Sequence, residues 1–163
     1  MHRTIAFVGH GRHGKDECCR LWAEITGGVN AGTLSKYLTP VVGQYMEAVG
    51  LPADPDICDF EQRHLHRDIW RAAGDWYRQH DPARLVKDAL MHGNITGGIR
   101  GDKEIWAARP LLDLIVWVQR PGYGEDPTMD YGMEEADVVI YNDGSLKCLE
   151  SKLRRMYNVA GIR

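Results

Sequence analysis

The sequence predicts an α/β protein with a largely parallel sheet, and three observations carry that prediction. Short apolar, partly β-branched runs alternate with longer stretches of helical period along the whole chain. The helical stretches stop at glycines or restart at prolines. One run, residues 114–118 (LIVWV), is apolar without a break, as a strand covered on both faces must be. The chain has 163 residues, 44% of them hydrophobic, which suits one domain, 1–163, carrying a small flap.

Residues 4–8 make the first strand, an apolar run that ends at Gly9. From Lys15 the positions Cys18, Cys19, Leu21, Trp22 and Ile25 share one helical face, and Gly27 and Gly28 stop the helix where a C′ glycine sits. Residues 29–32 read as the second strand, and Ser35 as the N-cap of a helix through Val49. Residues 51–56 carry two prolines and read as the hinge of a flap covering about 51–92. One long helix is expected from Asp59 to about His80, with Leu65, Ile69, Ala72 and Trp76 on its buried face. Pro82 takes the first position of a helix that ends near His92 and Gly93. Residues 94–99 read as the third strand, 102–109 as a short helix, 114–118 as the fourth strand and 138–141 as the fifth. The last helix spans 145–157, with Leu146, Leu149, Leu153 and Met156 inward and its basic residues late, complementing the dipole.

Composition excludes several classes. Lys plus Arg total 20 against 23 Asp plus Glu, a net charge of -3, so no global basic field argues for nonspecific nucleic-acid binding. No apolar run approaches the roughly 18 residues that cross a bilayer, and the opening residues lack a signal-peptide layout, so a cytoplasmic protein with no membrane partner is expected. The four cysteines have no zinc spacing, and the pairs His10/His13 and His64/His66 lack the further ligands of a metal set.

Gly9, His10, Gly11, Arg12, His13, Gly14 and Lys15 fit G-x-x-x-x-G-K, with Asp16 where Ser or Thr is usual. A strand before and a helix after complete the context. Glycines let backbone N–H groups curl round phosphate oxygens, the helix presents its positive end, and Lys15 adds a mobile cation. Asp16 offers Mg²⁺ a hard oxygen, directly or through water. Glu17 closes the segment expected to hold ATP. Arg12 and His13 either add charge near the phosphates or face solvent. The bland alternative is a glycine-rich turn with a solvated Lys15.

The Gly14, Lys15, Asp16 ending resembles the loop of phage-type deoxynucleoside monophosphate kinases, within the larger group of P-loop nucleotide kinases. So do the residues from Ala73 to Arg78, followed by Asp81 and Pro82; Gly98, Ile99 and Arg100 with Glu104 four residues on; and Asn142, Asp143, Gly144 and Ser145 before the last helix. Only the loop is individually specific; the other segments gain weight from their order. The resemblance implies a three-layer fold with a five-stranded, mainly parallel sheet, ATP and Mg²⁺ on the loop, and an acceptor under a mobile helical flap. It further implies that Arg100 grips phosphate beside the loop and that Asn142, Asp143 and Gly144 flank the adenine. By residue type alone, Arg100 is equally suited to an ion pair with Glu104. Two departures stand out. Gly97 replaces an Asp often found there, and Arg120 is the only basic residue left to serve as a lid over the γ-phosphate.

Arg63, Arg67 and Arg71 recur every four residues and Arg78 follows seven later, so one helix would carry a cationic stripe. The stripe, with Asp75, either faces an anionic acceptor across a cleft or is a solvated face paired with Glu61, Asp68 and Asp75. The expected activity is transfer of the γ-phosphate of ATP to a deoxynucleoside monophosphate, with Lys15, Asp16 and Arg100 as the catalytic set. One alternative acceptor is 5-hydroxymethyluracil within phage DNA, the substrate of a related class, for which Asp56, Asp59, Glu61 or Asp75 would supply the base a hydroxyl needs. Another alternative is a non-catalytic ATP-binding module. The sequence leaves open whether a second copy, in a homodimer, completes the flap.

Overall fold

The computed structural model describes residues 3–159. Five strands, β1 (Ile5–Val8), β2 (Asn30–Thr33), β3 (Ile95–Gly97), β4 (Leu114–Gln119) and β5 (Val138–Tyr141), form one parallel sheet in the order β2-β3-β1-β4-β5. The helices are α1 (Lys15–Thr26), α2 (Ser35–Ala48), α3 (Pro55–Cys58), α4 (Arg67–Arg78), α5 (Arg84–Leu90), α6 (Asp102–Ala108) and α7 (Leu146–Val159). Alternation along β1 builds two apolar layers. Ala6 and Val8 join the layer under α2, α4, α5 and α6, whereas Ile5 and Phe7 join Trp22, Leu149 and Leu153 beneath α1 and α7. Among the described residues no helix is long and apolar enough to cross a membrane.

The structure corrects several predicted elements. The long helix over 59–80 is broken: residues 59–66 form turns, and α4 starts at Arg67. Local side-chain bonds compete with the helix ladder there. The Asp59 carboxylate accepts the Glu61 N–H at 3.0 Å, and the Arg63 guanidinium donates to Phe60 O at 2.7 Å. Leu65 is consequently 66% exposed, and the buried face of α4 is Trp70, Ala73 and Gly74. Ser35 is the first residue of α2 rather than its cap. Pro82 precedes α5 in a turn where the Asp81 carboxylate accepts the Ala83 N–H at 3.1 Å. Leu146 is exposed at the start of α7, where Ser145 accepts the Cys148 N–H at 3.2 Å.

Sheet order gathers the functional loops. Because β3 and β4 flank β1, the loops leaving all three strands converge at one end, where an α/β sheet offers its ligand crevice.

Candidate phosphate-binding site

Residues 9–14 form the loop, or cradle, that connects β1 to α1. Gly9, Arg12 and Gly14 have φ of 137°, 65° and 95°. Gly9 admits no side chain, since a Cβ there would lie 2.5 Å from Val118 O on β4. Arg12 holds a left-handed conformation without being glycine, a cost of about 1 kcal/mol that the surrounding loop must sustain. The N–H groups of Gly11, Arg12, Gly14, Lys15 and Asp16 donate to no group among the described residues. Unpaired backbone donors at the start of a twelve-residue helix are the arrangement that suits an anion. Lys15 reaches back across the loop, its ammonium donating to His10 O at 2.6 Å. Burial, and then the like charge of Arg100, push the Lys15 ammonium below its ordinary value. Asp16 and Arg12 are exposed, and Glu17 pairs with Arg20 along α1.

The two histidines of the loop do structural work. His13 is fully buried, and its Nδ1 accepts the Arg120 N–H at 3.2 Å. The other ring nitrogen, Nε2, has no partner among the described residues. His10 uses Nδ1 in the same way, accepting the Asp126 N–H at 3.0 Å, with its ring edge-on to Trp117. Burial, helped by His13, holds the His10 imidazole below its ordinary value, so it accepts this bond as the neutral form at pH 7. From the loop after the edge strand β5, the Asn142 amide donates to His13 O at 3.1 Å, and its nitrogen lies 2.5 Å from where a Cβ on Gly14 would sit. Asp143 is drawn to Lys152 of α7, which holds its carboxyl below the ordinary range, and Gly144 is exposed beside Cys148.

Arg100 leaves β3 at the mouth of the cradle. Its side chain does not pair with Glu104; it donates to Asp126 Oδ2 at 2.9 Å. Glu104 is buried and accepts Arg78 Nη1 at 3.1 Å, and its other oxygen lies 3.5 Å from the Arg100 N–H. Arg78, also paired with Asp75, thus ties α4 to the turn that carries Arg100. Gly97 has a packing reason: a Cβ would lie 3.0 Å from Phe7 O and 3.4 Å from Cys19 Sγ. Burial pushes the neighbouring Cys18 thiol up to about 12, so it is no nucleophile at neutral pH.

The predicted arginine stripe is split by the break before α4. Arg63 lies in the turn with its guanidinium 3.8 Å from the Phe60 ring centroid. Arg67 and Arg71 are exposed on α4 and form no ion pair among the described residues, while Arg78 turns inward to Glu104. Arg120 stacks over Tyr123 at 4.1 Å. Sequence reasoning missed Asp126, His10 as an acceptor and Glu104 as the partner of Arg78. The spacing His10, His13 was visible, but nothing local links either residue to segment 120–126.

A cradle between β1 and α1, a parallel sheet ordered β2-β3-β1-β4-β5 and helices on both faces define the three-layer α/β fold of the P-loop kinases. The shikimate kinase of Acinetobacter baumannii in complex with shikimate shares it, with a TM-score of 0.54 and 14% identity over 100% of this chain and 97% of that one. A sugar kinase from Janibacter sp. HTCC2649 aligns with a TM-score of 0.49 and 13% identity, covering 99% of this chain and 96% of that one. The shikimate kinase of Aquifex aeolicus aligns at 0.45 and 14%, covering 97% and 99%. The Acinetobacter baumannii protein is a shikimate kinase, so the resemblance to deoxynucleoside monophosphate kinases is not confirmed by it. No protein-family model and no curated protein matches the chain.

Proposed function

We propose that this chain is an ATP- and Mg²⁺-dependent phosphotransferase whose acceptor is a deoxynucleoside monophosphate. The supporting observation is the convergence of a free N–H cradle, Lys15 and Arg100 at one end of the sheet. The residues fit the donor: the cradle suits a polyphosphate, and the exposed Asp16 suits Mg²⁺, which takes few protein carboxylates and fills its shell from phosphate and water. Bound with ATP, Mg²⁺ supplies charge neutralisation on the transferring phosphoryl group.

The chain's own residues then position and neutralise. Cradle N–H groups hold the phosphates in line, and Lys15 exchanges its bond to His10 O for a phosphate oxygen. Arg100 grips phosphate between donor and acceptor. A monophosphate acceptor is already an anionic nucleophile, so no general base is required. We assign the acceptor's charge to Arg67 and Arg71, which are exposed on α4 and form no ion pair among the described residues. Two exposed arginines also suit the phosphates flanking a base in single-stranded DNA, which keeps 5-hydroxymethyluracil DNA as the second reading.

Labelled ATP with Mg²⁺ and a panel of deoxynucleoside monophosphates, 5-hydroxymethyluracil DNA and shikimate tests the reading. Label is expected in a monophosphate, and Lys15→Ala is expected to lower transfer about 100-fold or more. Label in DNA or shikimate alone would replace the acceptor. ATP binding without transfer to any of them would leave a nucleotide-binding module.

A further inference from the structure

One carboxylate sits among the groups that an anionic phosphate needs. After β4, segment 120–131 crosses back over the cradle as a strap. Its far end is anchored in the core, where the buried Tyr131 hydroxyl donates to Ile99 O at 2.7 Å. Its near part is tied down by the two bonds to His13 and His10. Between these anchors the Asp126 carboxylate overlies the loop: a Cβ on Gly11 would lie 3.2 Å from its Oδ2. That oxygen accepts from Arg100, and the other accepts the Thr128 N–H at 3.0 Å and hydroxyl at 2.6 Å. The Thr128 Oγ1 in turn accepts from Arg100 at 2.6 Å, and the Asp130 N–H donates to Arg100 O at 3.1 Å. Arg100 and Lys15 both act on this carboxylate.

We infer that Asp126 is an internal stand-in for a phosphoryl group, occupying Arg100 and covering Gly11, so that the strap is an autoinhibitory latch which a polyphosphate must displace. Such a latch presupposes that the cradle is a phosphate site, as proposed for the function. Both carboxylate oxygens are satisfied, which fits an anion held in place rather than a base awaiting a proton. Asp126 leaves the cradle N–H groups unused. A triphosphate brings more charge and more acceptor oxygens than one carboxylate and reaches those donors, so it wins the competition. The latch lowers apparent affinity by the fraction of chains that are open.

Calorimetric titration with inorganic tripolyphosphate at constant ionic strength reads this directly. Asp126→Asn is expected to bind about tenfold more tightly than the unmodified chain, and Thr128→Val to move the same way. Unchanged or weaker binding in these variants would overturn the latch and leave Asp126 as a residue that merely positions Arg100. Lys15→Ala separates the two levels. Undiminished binding in that variant refutes the P-loop reading itself, whereas its loss beside an unimproved Asp126→Asn refutes only the latch. Hydrogen exchange on the unmodified chain needs no variant: saturating tripolyphosphate should speed exchange of the Arg120 and Asp126 amides. Slower exchange there would also overturn the proposal.

Discussion

Glu104 carries its charge where burial opposes it. Burial raises its carboxyl above the ordinary 4.5, and the Arg78 guanidinium with the N–H groups of Arg100 and Gly101 resist that rise. Arg78→Ala strips the strongest of these opponents and leaves a buried, unpaired carboxylate, which costs about 3 kcal/mol at pH 7. The sign of the shift sets the pH dependence. A carboxyl whose folded value lies above its unfolded one favours folding below that unfolded value and loses the advantage as pH rises through the folded value. The variant raises the folded value further, so its deficit is largest at pH 7 and shrinks as pH falls toward 4.5. Urea denaturation at pH 7 and pH 5 checks this, and a deficit equal at both would refute the account. The loop between β1 and α1 was legible because the spacing G-x-x-x-x-G-K lies in one contiguous stretch. The pairs Arg78–Glu104 and Arg100–Asp126 were not, since each joins residues 26 apart that only the folded chain brings together.

At the scale of elements, the instructive segment is the one entering α4. Apolar spacing alone put Leu65 in the core, but periodicity cannot register that Asp59 and Arg63 spend their side chains on nearby backbone. Trp70 replaces Leu65 as the anchor, with its indole N–H donating to Ile57 O at 2.8 Å across the turn. Leu65→Ser is therefore expected to change stability by less than about 0.5 kcal/mol, and Trp70→Ala to cost about 3–5 kcal/mol. Thermal or urea melts of the two variants decide it; comparable losses would restore the long helix. Apart from α3, which falls where the sequence reads as a hinge loop, the remaining strands and helices were legible to within a few residues, because their glycine stops and uninterrupted apolar strands are local signals.

For the whole molecule, strand order was the illegible quantity: alternation predicts a parallel sheet, but not that β1 lies between β3 and β4. That position makes β1 the central strand of the sheet, with every side chain buried. Hydrogen exchange is expected to be slowest at 5–8 and 115–118 and fastest at 59–66; comparable protection of 59–66 would contradict the break before α4. The same order has a consequence for how the protein is made. The Asn142 amide that braces His13 O comes from 129 residues later in the chain, and Val118, which backs Gly9, from well past the midpoint. In the order of synthesis the loop between β1 and α1 precedes both of these braces, so it stays unbraced until β5 is made. If the loop holds phosphate as proposed, the growing polypeptide acquires that capacity late, after its sheet has assembled.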